Sequence, residues 1–246
     1  MRVVVAGASG LTGSRTVARF RDHGVEVVPL SRADGVDLST GEGLALALRG
    51  ADVVVDVTDA PSRWQEAATE FFTSATEHLV RASAAAGVGH HVVLSLVGAD
   101  QVDSGYFLAK SVQERLVRQS PVPWSVVRAT PFFETVAAVA AEGTRGDGVH
   151  VPPLLTRPVS VGDVAASVAH VAVGLPLLDV LETAGPEEAR LTDLAAELLQ
   201  VRGRTAQVLP DPRAPFFGAK LPEKALVPGP DAHRGHHTFT EWLAAR

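Results

Sequence analysis

Tyr106 is the only tyrosine in the chain, and Lys110, one of three lysines, follows four residues later in YFLAK. Positions i and i+4 share a helical face, so on a helix the Lys110 ammonium would lie beneath the Tyr106 phenol. A phenol has a reference pKa of about 10, and a neighbouring cation stabilises its anion and lowers that value. Such a pair could deliver a proton to an oxygen undergoing reduction, and the lysine could also reach a sugar hydroxyl. Ser95, eleven residues before Tyr106, could hold the same oxygen if it stands on a neighbouring strand end.

Proton delivery in a reduction needs a source of hydride. The strand-like run VVVAG leads into Gly7-Ala-Ser-Gly10-Leu-Thr-Gly13 and then a helix-like segment. Glycines there permit a tight turn and a close approach of backbone to a pyrophosphate, and the helix N-terminus offers that anion free N–H groups and a positive dipole end. Gly7, Ser9, Gly10, Leu11, Thr12 and Gly13 are therefore candidate cofactor contacts. The second strand, VEVVPL, ends in Ser31-Arg32 without the acid that usually bonds a ribose 2′-hydroxyl. Arg32 can pair with a 2′-phosphate and Ser31 can add a hydrogen bond, so NADP(H) is preferred over NAD(H). Arg15 could help or lie in solvent. Asp37, in GVDLST after an expected third strand, could border the adenine or cap the next helix.

These residues need a sheet to gather them. Apolar strands near 3–7, 25–30, 52–57, 91–97 and 124–130 alternate with amphipathic helical segments, the pattern of a parallel sheet covered on both faces. The expected fold is α/β, a doubly wound, Rossmann-type parallel sheet with a small C-terminal substrate lobe. Residues 1–246 read as one domain, with 131–158 and 176–246 contributing the lobe. Ligands in such sheets lie outside the carboxyl ends of the strands. That brings forward Thr58 after the fourth strand, Ser95 and Val97 on the fifth, and Pro131, Phe132 and Phe133 after the sixth. Trp64, after Ala60-Pro61, is a further candidate for substrate contact. Later segments read as a helix opening on Thr192 and closing on Gly203, and a last helix with Thr238 and Glu241 at capping-box spacing. Six prolines between 210 and 230 suggest a surface loop, in which Phe216 and Phe217 could form part of a lid.

A formal net charge of −6 without a long basic run argues against nucleic acid or an anionic membrane as partner. No cysteine is present, which excludes disulfides, thiolate chemistry and Cys-ligated zinc. His233, His236 and His237 lack a pattern of carboxylate partners, so no metal site is expected. His90 and His91 read as surface or packing residues. The first apolar run is too short for a signal core or a membrane span, and a cytoplasmic monomer or homodimer acting on a small molecule is expected.

Together GASGLTG, Ser95, YFLAK and RATPFFE resemble the atypical short-chain dehydrogenase/reductase superfamily, and more closely its NmrA-like NAD(P)-binding branch. PVSVGDVAASV, ETAGPEE and TEWLA extend the resemblance over nearly the whole chain. It implies Gly7, Gly10 and Gly13 at a pyrophosphate, Arg32 at a 2′-phosphate, Ser95, Tyr106 and Lys110 as a catalytic triad, and Pro131 near the nicotinamide carboxamide. Two departures stand out: TEFFTSATEHL lacks the usual relay asparagine, and DVTDAP replaces the familiar NAG. The expected activity is NADPH-dependent reduction of a small, largely apolar carbonyl, quinone or related electrophile. An NADP(H) sensor with little catalysis is the alternative, and a sugar-nucleotide epimerase or dehydratase the third.

Overall fold

The computed structural model describes residues 1–245. Short runs of β-branched residues make the first strands, β1 (Arg2–Ala6), β2 (Glu26–Leu30) and β3 (Val53–Asp56). They continue in β4 (His90–Leu96) and β5 (Trp124–Ala129). Helices α1 (Leu11–Asp22), α2 (Leu44–Ala47), α3 (Gln65–Ala86) and α4 (Gly105–Arg118) alternate with them. The second half adds α5 (Phe133–Glu142), β6 (Thr144–Arg145), β7 (Gly148–Val151), β8 (Leu155–Thr156) and α6 (Val161–Val173). It closes with β9 (Val180–Ala184), β10 (Ala189–Arg190), α7 (Leu191–Val201), β11 (Val208–Pro210), β12 (His233–Arg234) and α8 (Phe239–Ala244).

Seven strands form one parallel sheet in the order β12-β9-β5-β4-β3-β1-β2. The alternation of side chains along a strand sends Val3 and Val5 into one layer and Val4 into the other. The first layer packs α1 and α6 through Val17, Phe20, Val164 and Val168. The second receives Leu44, Leu48 and Leu79 from α2, the turn after it and α3. Both faces are covered, as an all-parallel sheet requires. The strand order reverses between β1 and β3, so the glycine turn after β1 and residues 56–59 at the end of β3 flank the switch point.

A third cluster, containing Phe107, Phe133, Phe216, Leu226 and Phe239, joins α4 and α5 to α7, α8 and the proline-rich segment. Of residues 131–158 and 176–246, expected to form a lobe, β9 and β12 lie in the main sheet, where β9 pairs with β5.

Three local readings change. Among the described residues no third strand stands between β2 and Asp37; a 3-10 turn (Arg32–Asp34) and a single Asp37–Glu42 bridge occupy that stretch. Thr192 is not the cap of α7: the cap position is Arg190, and Thr192 is buried in the first turn. Asp37 does not cap α2, whose cap is Gly43 in a left-handed conformation. Its carboxylate instead accepts from Ser39 N at 2.8 Å and Ser39 Oγ at 2.6 Å, and these bonds, the side-chain one foremost, hold its pKa below the usual carboxylate value. The box at Thr238 and Glu241 forms in both directions, and Gly24 and Gly203 follow their helices with positive φ.

Candidate active site

Gly7 opens the turn after β1 with φ +80°. A Cβ there would stand 2.9 Å from the Thr58 Cα and the Val57 oxygen, so only glycine fits beside the end of β3. A Cβ on Gly13 would come within 2.1 Å of the Gly7 oxygen, which ties α1 tightly to the turn. The cap residue Gly10 offers no side-chain bond to the helix, and no acid sits in the first turn. The N–H groups at the start of α1 are therefore left for an anion. Ser9, Gly10 and Leu11 are exposed there, while Thr12 is buried. Ser31 and the exposed Arg32 follow β2 at the neighbouring strand end.

A cavity of about 120 Å³ opens at the carboxyl ends of β3, β4 and β5. Thr12, Thr58, Ser95, Val97, Tyr106, Lys110, Pro131 and Phe132 all reach it. The proline-rich segment covers it with Phe216, Phe217 and Leu226. Phe217 has φ +52° and Gly218 φ +78°, while Phe216 and Ala219 exchange backbone bonds of 2.8 and 3.1 Å. The turn so formed puts the Phe217 carbonyl on the Tyr106 N–H, 3.0 Å away at the start of α4.

Two of the expected pocket residues lie elsewhere. Trp64 caps α3 with its ring in solvent, 82% exposed, because the chain enters the helix there from outside the sheet. Phe133, one residue into α5, points the opposite way from Phe132 and is fully buried against Phe239 and Trp242.

Ser95 Oγ is buried, lines the cavity and has no hydrogen-bond partner among the described residues. An unsatisfied buried hydroxyl costs about 1–3 kcal/mol, and an oxygen in the cavity would relieve it. This orphan, together with the glycine cradle, fits a dinucleotide with a bound substrate.

Tyr106 and Lys110 share a face of α4 but do not form the expected pair. The Lys110 ammonium donates to the Leu94 carbonyl at 2.7 Å and to Gln113 Oε1, and lies 4.4 Å above the Phe72 ring. Gln113 passes the link on to Asp56 Oδ2 at 2.8 Å, and Thr58 Oγ1 binds Asp56 Oδ1 at 2.7 Å. Burial pushes the lysine pKa down, while Asp56, Asp59 and Glu114 oppose that shift. The Tyr106 hydroxyl donates instead to Asp59 Oδ1 at 2.5 Å. Burial first, then the Asp59 carboxylate, raises its pKa well above the ordinary phenol value. The reason is local: a buried ammonium must satisfy its donors, and acceptors on β4 and one turn along α4 lie nearer than the phenol oxygen.

Asp56, Asp59, Arg63 and Gln113 are the polar residues of the site that spacing alone misses. The pair of acids in DVTDAP, at a strand end where the familiar motif carries none, was the available signal. Among the described residues no group of three or more His, Asp or Glu could hold a metal ion. His237 does have a carboxylate partner, Asp163, 2.9 Å from its Nδ1.

A family profile described as NAD(P)H-binding matches residues 7–173. The chain belongs to this family. It is 30% identical over 221 residues to the (4-alkanoyl-5-oxo-2,5-dihydrofuran-3-yl)methyl phosphate reductase of Streptomyces griseus, covering 82% of this chain and 74% of that protein. The NADPH-dependent quinone oxidoreductase of Escherichia coli aligns with a TM-score of 0.65 at 19% identity, over 85% of this chain and 78% of that one. The UDP-glucose 4-epimerase of Thermus thermophilus, solved with NAD, aligns with a TM-score of 0.69 at 20% identity, over 100% of this chain and 93% of that one. At these identities the two structures share the NAD(P)H-binding family's fold with this chain. Among the described residues no helix is long and apolar enough to cross a membrane.

Proposed function

We propose that this protein is an NADPH-dependent reductase of a small, largely apolar carbonyl, quinone or related electrophile. The observation that carries the reading is the orphaned Ser95 hydroxyl on the same cavity wall as Tyr106 and Lys110, at the strand ends beside the glycine turn. Gly7, Ser9, Gly10, Leu11, Thr12 and Gly13 would hold the pyrophosphate, with Ser31 and Arg32 at the 2′-phosphate and Asp37 near the adenine. Thr58 and Pro131 would border the nicotinamide. Of the three N–H groups of Lys110, two are engaged, which leaves one for a ribose hydroxyl. Reduced nicotinamide, when bound, supplies hydride to an electrophilic carbon.

The chain's own residues then manage the oxygen. Ser95 Oγ donates to it and fixes its position. Tyr106 Oη turns from Asp59 and gives it a proton. Val97, Phe132, Phe216, Phe217 and Leu226 keep water from the bond being reduced, which strengthens both contacts. The small covered volume suits a compact electrophile better than a nucleotide sugar. The reductase activity of the Streptomyces relative supports the reaction class.

A second reading, an NADP(H) sensor, draws on one observation: in the resting site the phenol is held by a carboxylate that opposes its ionisation. The two separate on NADPH oxidation across a panel of carbonyls and quinones. The enzyme reading expects steady turnover, lost by at least about a hundredfold in Tyr106→Phe while NADPH still binds. Tight NADPH binding without turnover on any substrate would establish the sensor.

A further inference from the structure

Tyr106 is buried, 8% exposed, with the edges of Phe72 and Phe217 at ring distances of 5.7 and 5.8 Å. After it gives up its proton it is largely shielded from bulk water, so a neighbouring group is needed to carry a proton back. The residue on its oxygen is Asp59, 47 positions earlier in the chain. Asp59 belongs to both environments: Oδ1 sits on the phenol, and the side chain is 61% exposed. Its other oxygen, Oδ2, lies 3.9 Å from the Arg63 guanidinium, which stacks 4.0 Å over the Phe217 ring. The carboxylate is thus oriented with one oxygen inward and one outward. The helix that would carry the usual relay asparagine carries none. Lys110 is engaged elsewhere.

We propose that Asp59 is the proton-relay residue that recharges Tyr106 from solvent in each turnover. This rests on the reductase reading. The step balances as follows. The Tyr106 O–H bond breaks and its proton goes to the substrate oxygen that has gained negative charge from the hydride. A phenolate then stands against a carboxylate. Two anions in hydrogen-bond contact in a half-buried site repel strongly, and the pair takes up one proton. Asp59 accepts it from water on its exposed oxygen, and rotation of the carboxyl group turns that O–H toward the phenolate, which takes the proton. The sum is one hydride and one solvent proton per product, as carbonyl reduction requires.

Asp59→Asn keeps the shape and can hydrogen-bond Oη, but its amide cannot take up and release a proton. A single turnover of NADPH-loaded protein draws on the proton already on Tyr106, whereas steady turnover needs the relay. In Asp59→Asn we expect the first turnover to stay within about twofold of the parent and the steady rate to fall at least about tenfold. A small diffusible acid, imidazole at increasing concentration and fixed pH, should restore part of the steady rate. Unchanged steady turnover overturns the proposal. So does an equal loss of both rates without rescue, the result of a merely structural role.

A substrate-free measurement keeps the two readings apart. Tyr106 is the only tyrosine, so the alkaline ultraviolet shift of phenolate formation reports it alone. Removing the carboxylate charge should move that titration to lower pH in Asp59→Asn. An unmoved titration shows that Asp59 does not act on the phenol and overturns the relay. A moved titration with no wild-type turnover on any substrate overturns the reductase reading and the relay together; a moved titration with active wild type and unslowed Asp59→Asn overturns the relay alone.

Discussion

An ammonium and a phenol on one helical turn need not pair, and Lys110 shows what decides. Stripped of water, its charge gains more from a carbonyl at 2.7 Å and an amide oxygen tied to a buried carboxylate than from a neutral hydroxyl. Asp56 thereby becomes the fixed counter-charge of the site, and the phenol is left to Asp59. Arg128 follows the same rule: Glu114 accepts from its Nε at 2.9 Å and Nη2 at 2.7 Å, and Asp100 lies 2.7 Å from Nη1. Those bonds raise its pKa against the effect of burial, so that arginine is a strut and not a ligand for substrate. Arg32 is different, being exposed. If it meets a 2′-phosphate, Arg32→Ala removes a charge-assisted bond that contributes about 1.5–3 kcal/mol. NADPH affinity should then fall roughly 10- to 100-fold by fluorescence titration, with NADH affinity nearly unchanged. Equal losses for both would refute the assignment.

At the scale of elements, strands and helices were legible because each buries a periodic apolar face, and the turn chemistry marked several of their ends. The glycine cradle was legible too: a Cβ on Gly7 or Gly13 would meet backbone atoms at 2.9 and 2.1 Å, which no side chain tolerates. Partners contributed by different elements were not. Asp59 reaches Tyr106 across 47 residues and Asp56 reaches Gln113 across 57, and only the register of the sheet brings these together. Aromatic type also misled at Trp64 and Phe133, where helix direction, not hydrophobicity, determines what a ring faces. The central strand β4 holds a further surprise in His91, which is fully buried with neither ring nitrogen bonded among the described residues. Burial pushes its pKa down to about 4, against the pull of Asp56 and with the push of His90. The unfolded chain binds a proton near pH 6.5 while the folded one refuses it until about 4. Stability conferred by neutral His91 is thus complete above pH 6.5 and falls as pH drops, at up to about 1.4 kcal/mol per pH unit. Denaturant unfolding of wild type and His91→Leu should diverge in that window, with the variant flatter; parallel curves would show that His91 does not titrate there.

On the scale of the whole molecule, the site is assembled from two bodies of packing. The sheet supplies the glycine turn, Ser95 and the acids at the end of β3; the proline-rich segment supplies the cover. One seam between them lies where the start of α4 touches the turn at Phe216 and Ala219. Gly105 sits there with φ +60°. A Cβ on it would stand 2.6 Å from the Phe217 oxygen, 2.8 Å from the Gly218 carbon and 2.9 Å from the Ala219 nitrogen. All three are backbone atoms, so no side chain can rotate away. Gly105→Ala must therefore displace either α4 or the turn, and the turn is the weaker body: it is short, and Phe217 already holds a positive φ that costs about 1 kcal/mol or more. The sheet, with its strands paired and both faces covered, should keep its structure. Limited proteolysis should then cut between 210 and 230 several-fold faster than in the parent, with far-ultraviolet dichroism unchanged. Turnover should fall because Phe216 and Phe217 no longer exclude water from the cavity, while NADPH binding at the glycine turn persists. If the variant resists the protease as the parent does and loses cofactor binding instead, the seam belongs to the sheet's folding and the segment is not a separable cover.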